Sequence, residues 1–155
     1  MERLQYESMT ICPLDGRYAG IKDALGDYFS EYGLVRYRVF VEIQWLKFLI
    51  ENIESDILAK FDKNNLPKIT AISENFDFEA FKAIKEIEAT TRHDVKAVEY
   101  YIGHTLKAMG YDDLISFVHI GCTSEDINNT SYGCMLRDGL KKVWLPKAKE
   151  IAAIC

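Results

Sequence analysis

The chain has 155 residues, 48% of them hydrophobic and 28% charged, which suits one globular domain with a real core and argues against a disordered chain. A formal net charge of −5 excludes sequence-independent attraction to nucleic acid or anionic lipid, so an anionic ligand needs a local basic pocket. Residues 1–5 do not form a basic segment leading into an apolar run, so no signal peptide is expected. Cys12, Cys122, Cys134 and Cys155 show neither C-x-x-C nor zinc-ligand spacing and read as buried or free thiols in a reducing cytoplasm.

Along the chain, turn signals cluster at residues 13–20, with Asp15-Gly16 a strong turn pair. Residues 30–52 are apolar on nearly every face, and their length favours a helix over a strand. Arg36, Arg38, Glu42, Gln44 and Lys47 interrupt that run too often for a membrane span, so the helix needs protein cover on several sides. Residues 53–76 read as short helical pieces broken at Asp62–Asn65 and again at Leu66-Pro67. Phe78, Phe81, Ile84 and Ile87 mark a short amphipathic helix, and Thr91 with Asp94 has capping-box spacing before the next one. That next helix carries Val95, Val98, Ile102, Leu106 and Met109 on one stripe and stops at Gly110.

A last helix is expected from about Asp126 through Leu136, Leu140 and Val143, with Pro146 kinking it or opening a new one. Thr123 and Asp126 form a second capping-box pair ahead of it. The apolar pattern continues to Cys155, which leads us to expect that the chain stops within an element. The fold class is all-α.

Chemistry is expected where polar residues collect at turns and helix starts. Arg17 and Tyr18 beside a tight turn offer a guanidinium fork and a hydroxyl to a phosphate or carboxylate; a plain surface turn explains them as well. Thr90, Thr91, Arg92, His93 and Asp94 form a second corner. There Arg92 suits an anion, and a neutral His93 suits hydrogen bonding or proton transfer. A helix cap with an incidental histidine is the alternative. His104, on a helix face, and His119, in an apolar run, read as structural. At the third corner Thr123 and Ser124 add hydroxyls to the free N–H groups of a helix N-terminus, a suitable arrangement for a carboxylate. No Ser-His-Asp spacing recommends Ser124 as a nucleophile.

Three ordered blocks carry a family resemblance: Pro13-Leu-Asp-Gly-Arg-Tyr18, Thr90-Thr-Arg-His-Asp-Val-Lys-Ala-Val-Glu-Tyr100 and Cys122-Thr-Ser-Glu-Asp-Ile-Asn-Asn129, with Phe29-Ser-Glu-Tyr-Gly-Leu34 between the first two. Together they resemble the adenylosuccinate lyase branch of the fumarase and aspartase superfamily. The Thr-Ser-Glu-Asp text separates them from the Ser-Arg-Asn-Asp type of argininosuccinate lyases and the Thr-Asn-Met-Asn type of fumarases.

The resemblance implies an amino-terminal helical domain over residues 1–122 and, over 123–155, the start of a long central-bundle helix. It implies β-elimination of fumarate from adenylosuccinate, giving AMP, and from the succinylated aminoimidazole carboxamide ribotide of purine synthesis. It further implies a homotetramer, a small-molecule substrate, no cofactor and no metal, without nucleic-acid or membrane partners. Arg17 and Tyr18 would bind the nucleotide end. Arg92, His93 and Asp94 would line the substrate site, His93 in a supporting catalytic role, and Thr123 and Ser124 would hold a succinyl carboxylate. The family's general-acid histidine and the serine base of its Ser-Ser-x-Met-Pro-His-Lys loop are not found in this sequence, so the chain alone is expected to be inactive. Another fumarate-releasing lyase, such as one acting on argininosuccinate, or a non-catalytic helical nucleotide-binding module remains open at this point.

Overall fold

In the computed structural model, which describes Gly16, Tyr18 and residues 23–154, every regular element is helical. A short α1 (Asp23–Phe29) runs into Ser30, whose hydroxyl accepts from the Gly33 N–H and so starts the 22-residue α2 (Glu31–Asn52). Space requires a glycine at 33, because a Cβ there would lie 2.9 Å from backbone atoms of Asp27 and Tyr28. A larger residue would have to push the α1 turn away from α2.

α2 is the axis of the molecule. Its buried residues include Val35, Val39, Ile43 and Leu46 and also Tyr37, Val41 and Leu49, which together encircle the helix. This is the cover that its apolar sequence demands. On one side it packs on α3 (Leu66–Glu74), α4 (Phe78–Thr91) and α5 (Asp94–Ala108), where Ile69, Ile84, Val98, Ile102 and Leu106 close the main core. On the other it packs on α6 (Ser124–Gly139). Each fully buried aliphatic side chain contributes about 1.5–3 kcal/mol, so this core holds helices that are too short to be stable alone.

Two local expectations are refined. Leu66-Pro67 does not break a helix but opens α3, with Pro67 in the first turn, where its missing N–H has no intrahelical partner to lose. Short 3₁₀ turns at Leu58–Lys60 and Lys63–Asn65 fill the approach to it. The last helix starts at Ser124, two residues earlier than expected, with Thr123 as its N-cap and Asp126 already inside its first turn. Near its far end the hydrogen-bond ladder widens into a π turn at Leu140–Trp144 and resumes as α7 (Leu145–Ala152), which places Pro146 in a first turn.

Tyr132, Leu136, Leu140 and Trp144 recur every four residues and are exposed, leaving an apolar face along α6 and the π turn. No helix among the described residues is long and apolar enough to cross a membrane.

Candidate functional site

The second polar corner is a helix-to-helix joint. α4 runs through Thr91, so Thr91 is helical and the expected Thr91–Asp94 capping box does not form. Arg92 instead turns the chain with φ 51, a left-handed conformation that ends α4, and its exposed side chain makes no ion pair among the described residues. His93 then caps α5: its ring Nδ1 accepts the Lys96 N–H at 3.1 Å. A nitrogen that accepts cannot carry the proton, so neutral His93 bears it on Nε2 and turns a donor outward. The ring is about half exposed, with its side chain at 53%.

The third corner is the start of α6. Thr123 and Asp126 form a reciprocal capping box, in which Thr123 Oγ1 accepts from Glu125 N (3.2 Å) and Asp126 Oδ2 accepts from Thr123 N (2.8 Å). The Thr123 hydroxyl proton remains available to a ligand. Ser124 makes no side-chain hydrogen bond among the described residues, so this helix start keeps two hydroxyl donors beside its positive dipole end. Thr123→Ala is expected to cost about 1 kcal/mol in urea unfolding, whereas Thr123→Ser keeps the acceptor and should cost little. Equal losses for the two variants would mean that the cap is not what stabilises this start.

Arg38 joins the two corners. It is 4% exposed, and it donates from Nε to Asn128 Oδ1 at 2.9 Å and from Nη2 to Asp94 Oδ2 at 2.7 Å. One guanidinium fork thus ties the first turn of α5 to the second turn of α6. Beneath it Val41, Val95 and Ile127 pack together, one residue from each of the three helices. Partial burial pushes the Asp94 carboxyl up, but the Val95 N–H and the Arg38 guanidinium outweigh it and hold the group below the usual carboxylate range. Asp94 is therefore ionised and already paired within the protein.

One turn further along α2 lies Glu42, 1% exposed, with Oε1 2.6 Å from His119 Nδ1. Burial raises its pKa, and the His119 hydrogen bond offsets only part of that. Sequence reasoning did not single out Arg38, Glu42 or His119 as site residues. The available signal was the four-residue spacing of Arg38 and Glu42 inside an otherwise apolar run, which puts two charges on one helix face.

Of the first corner the structure describes only Gly16, which is buried, and Tyr18, which is exposed in a turn; Arg17 lies outside the described residues. A groove of about 370 Å³ runs between α2 and α6 and is lined by Phe40, Trp45, Phe48, Cys122, Thr130 and Cys134, among others. Asp126 and Ile127 also line it, so it adjoins the start of α6, but its surface is mostly apolar and Asn128, Thr123 and Ser124 do not line it. Cys122 and Cys134 are free thiols, and burial, with Glu42 and Asp126 nearby, pushes the Cys122 thiol up. Among the described residues no three His, Cys, Asp or Glu side chains converge as a metal-ligand set.

Residues 16–154 match the lyase family. The chain is 42% identical over 142 residues to an adenylosuccinate lyase of Vibrio cholerae, an alignment covering 91% of this chain and 31% of the relative. It is 39% identical over 150 residues to adenylosuccinate lyases of Escherichia coli strain K12 and of Buchnera aphidicola from Schizaphis graminum, covering 96% of this chain and 33% of each. The chain spans about a third of the length of these curated relatives.

Proposed function

This chain belongs to the lyase family, of the all-helical fumarase and aspartase type, and from that premise we propose that it forms one substrate-holding wall of an enzyme that cleaves adenylosuccinate into AMP and fumarate. The observation that carries the reading is the Arg38 joint, which sets the His93 corner and the Thr123 corner side by side on one rigid frame.

The chemistry needs such a wall. In the β-elimination a base removes a proton next to a carboxylate, negative charge builds on that carboxylate, and an acid protonates the departing nitrogen. Fixed donors aimed at the developing charge lower the barrier. Thr123 and Ser124, at the start of α6, supply hydroxyls and a helix N-terminus for a succinyl carboxylate. His93 offers Nε2–H near the reacting centre, Arg92 adds a cation that has no ion pair among the described residues, and Arg17 with Tyr18 takes the nucleotide's phosphate. Asp94 orients the frame through Arg38. The succinylated aminoimidazole carboxamide ribotide of purine synthesis presents the same succinyl group and is the second substrate.

The proton-moving acid and base belong to other parts of the enzyme, and the 155-residue chain by itself is inactive. Residues 123–155 begin the central bundle. The exposed stripe Tyr132, Leu136, Leu140 and Trp144 is the contact face for the bundle of a homotetramer.

A chimera in which this chain replaces the matching third of the Escherichia coli relative tests the reading. It should release fumarate from adenylosuccinate and not from argininosuccinate, while the chain alone should release none. A folded chimera that cleaves argininosuccinate instead would assign the wall to a different lyase.

A further inference from the structure

Arg38 and Glu42 stand one turn apart on α2, and both are almost wholly buried. The two partners of Arg38 explain its place. Glu42 is only half explained, because Oε1 meets His119 while Oε2 is buried with no hydrogen-bond partner among the described residues. A buried carboxylate with an unpaired oxygen is unfavourable, and an apolar residue would pack there at less cost. Glu99 on α5 adds like charge from the facing helix, which makes the position less favourable still.

The loop that brings His119 over this oxygen is itself constrained. His119 holds φ 62 and Gly121 φ 73, so two of three consecutive residues are left-handed, and the first is not a glycine. The Trp45 indole N–H donates to Ile120 O at 2.8 Å, anchoring the loop to α2. Both strain and anchoring act to keep the imidazole against Glu42. The His119 side chain keeps 18% of its surface accessible, and with Nδ1 on the Glu42 oxygen, Nε2 is the ring nitrogen without a hydrogen bond among the described residues.

We propose that Glu42 is a positioning residue, which holds the His119 proton on Nδ1 and leaves Nε2 as an unprotonated acceptor facing the wall. A singly protonated imidazole has one N–H, and a carboxylate oxygen 2.6 Å from Nδ1 can only accept, so that proton sits on Nδ1. With one proton on each ring, the two histidines of the wall adopt opposite tautomers. His93, whose Nδ1 accepts from Lys96 N, presents Nε2–H as a donor, and His119 presents Nε2 as an acceptor. A substrate bearing both a carboxylate and an N–H or hydroxyl group fits this pair, since one ring donates and the other accepts. The role assigned to the wall rests on the lyase reading above; the tautomers do not.

The test is long-range ¹H–¹⁵N NMR of the imidazoles in the 155-residue chain, at a pH well above the usual imidazole range. Wild type should show His119 protonated on Nδ1 and His93 on Nε2. Glu42→Met, of similar length and apolar, should fold as well as wild type but move the His119 proton to Nε2. Glu42→Gln keeps an acceptor oxygen and should largely preserve the wild-type tautomer. In the chimera, Glu42→Met should lower kcat/KM for adenylosuccinate at least tenfold, with partial recovery in Glu42→Gln. A wild-type His119 protonated on Nε2, or one unmoved by Glu42→Met, overturns the inference, as does a Glu42→Met chimera of full activity. An unsubstituted chimera without activity counts against the lyase reading, and the tautomers are still decided by NMR.

Discussion

His93→Asn in the chimeric lyase should lower kcat/KM for adenylosuccinate by about 10²- to 10³-fold, the usual cost of losing one donor at a developing charge. Its stability should stay close to that of the unsubstituted protein. The two effects separate because the two ring nitrogens have different tasks. Nδ1 caps α5 by accepting the Lys96 N–H, and asparagine is among the best residues for that position. Nε2 is the outward donor, and the shorter amide does not put an N–H in its place. His93→Ala should lose both, with a similar fall in kcat/KM and a further loss of about 1 kcal/mol in urea unfolding. A fully active His93→Asn chimera would reduce His93 to a helix cap.

Arg38→Met should be the most destabilising single change at the site, by about 2–3 kcal/mol at neutral pH. Breaking a wholly buried ion pair costs more than that, but Asp94 is half exposed and recovers water once the guanidinium is gone. The penalty should depend on pH, with a sign fixed by Asp94. Its folded-state pKa lies below its unfolded value, so the pair stabilises fully above the ordinary carboxylate range. That contribution is lost as pH falls through the depressed folded value. The gap between wild type and Arg38→Met in urea midpoints should therefore narrow in acid, and a gap independent of pH would remove Asp94 from the explanation. In the chimera the same change should lower kcat/KM, because the α5 and α6 starts lose their common tie.

The helices were readable in the sequence where one period dominated, as in the Val95–Met109 stripe of α5 and the apolar run of α2. The Thr123–Asp126 capping box was also readable, since both partners lie within one turn. The Thr91–Asp94 pair has identical spacing but does not form a box. The difference lies upstream, where α4 extends through Thr91 and a left-handed Arg92 leaves His93 to cap. Local spacing does not say where a preceding helix will end.

The tertiary links were harder to read. Arg38 reaches Asp94 and Asn128, 56 and 90 positions away, and Glu42 reaches His119 across 77. In the sequence the two charges only interrupt a hydrophobic run. Their partners become visible once α2 is seen to be covered on all sides, because charges on a buried face must find counterparts. His119, read as structural, turned out to be held by one of these links through a left-handed turn.

A crystal structure of the chimera with adenylosuccinate bound, in a variant slowed at the proton-transfer groups of the Escherichia coli portion, tests most directly whether these corners form one wall. His93 Nε2 and the Thr123 or Ser124 hydroxyl should lie within about 2.7–3.2 Å of the same ligand molecule, with the Arg38 bridge intact beneath them. An ordered ligand that touches only one of the two corners, or that occupies the apolar groove between α2 and α6 instead, would contradict it.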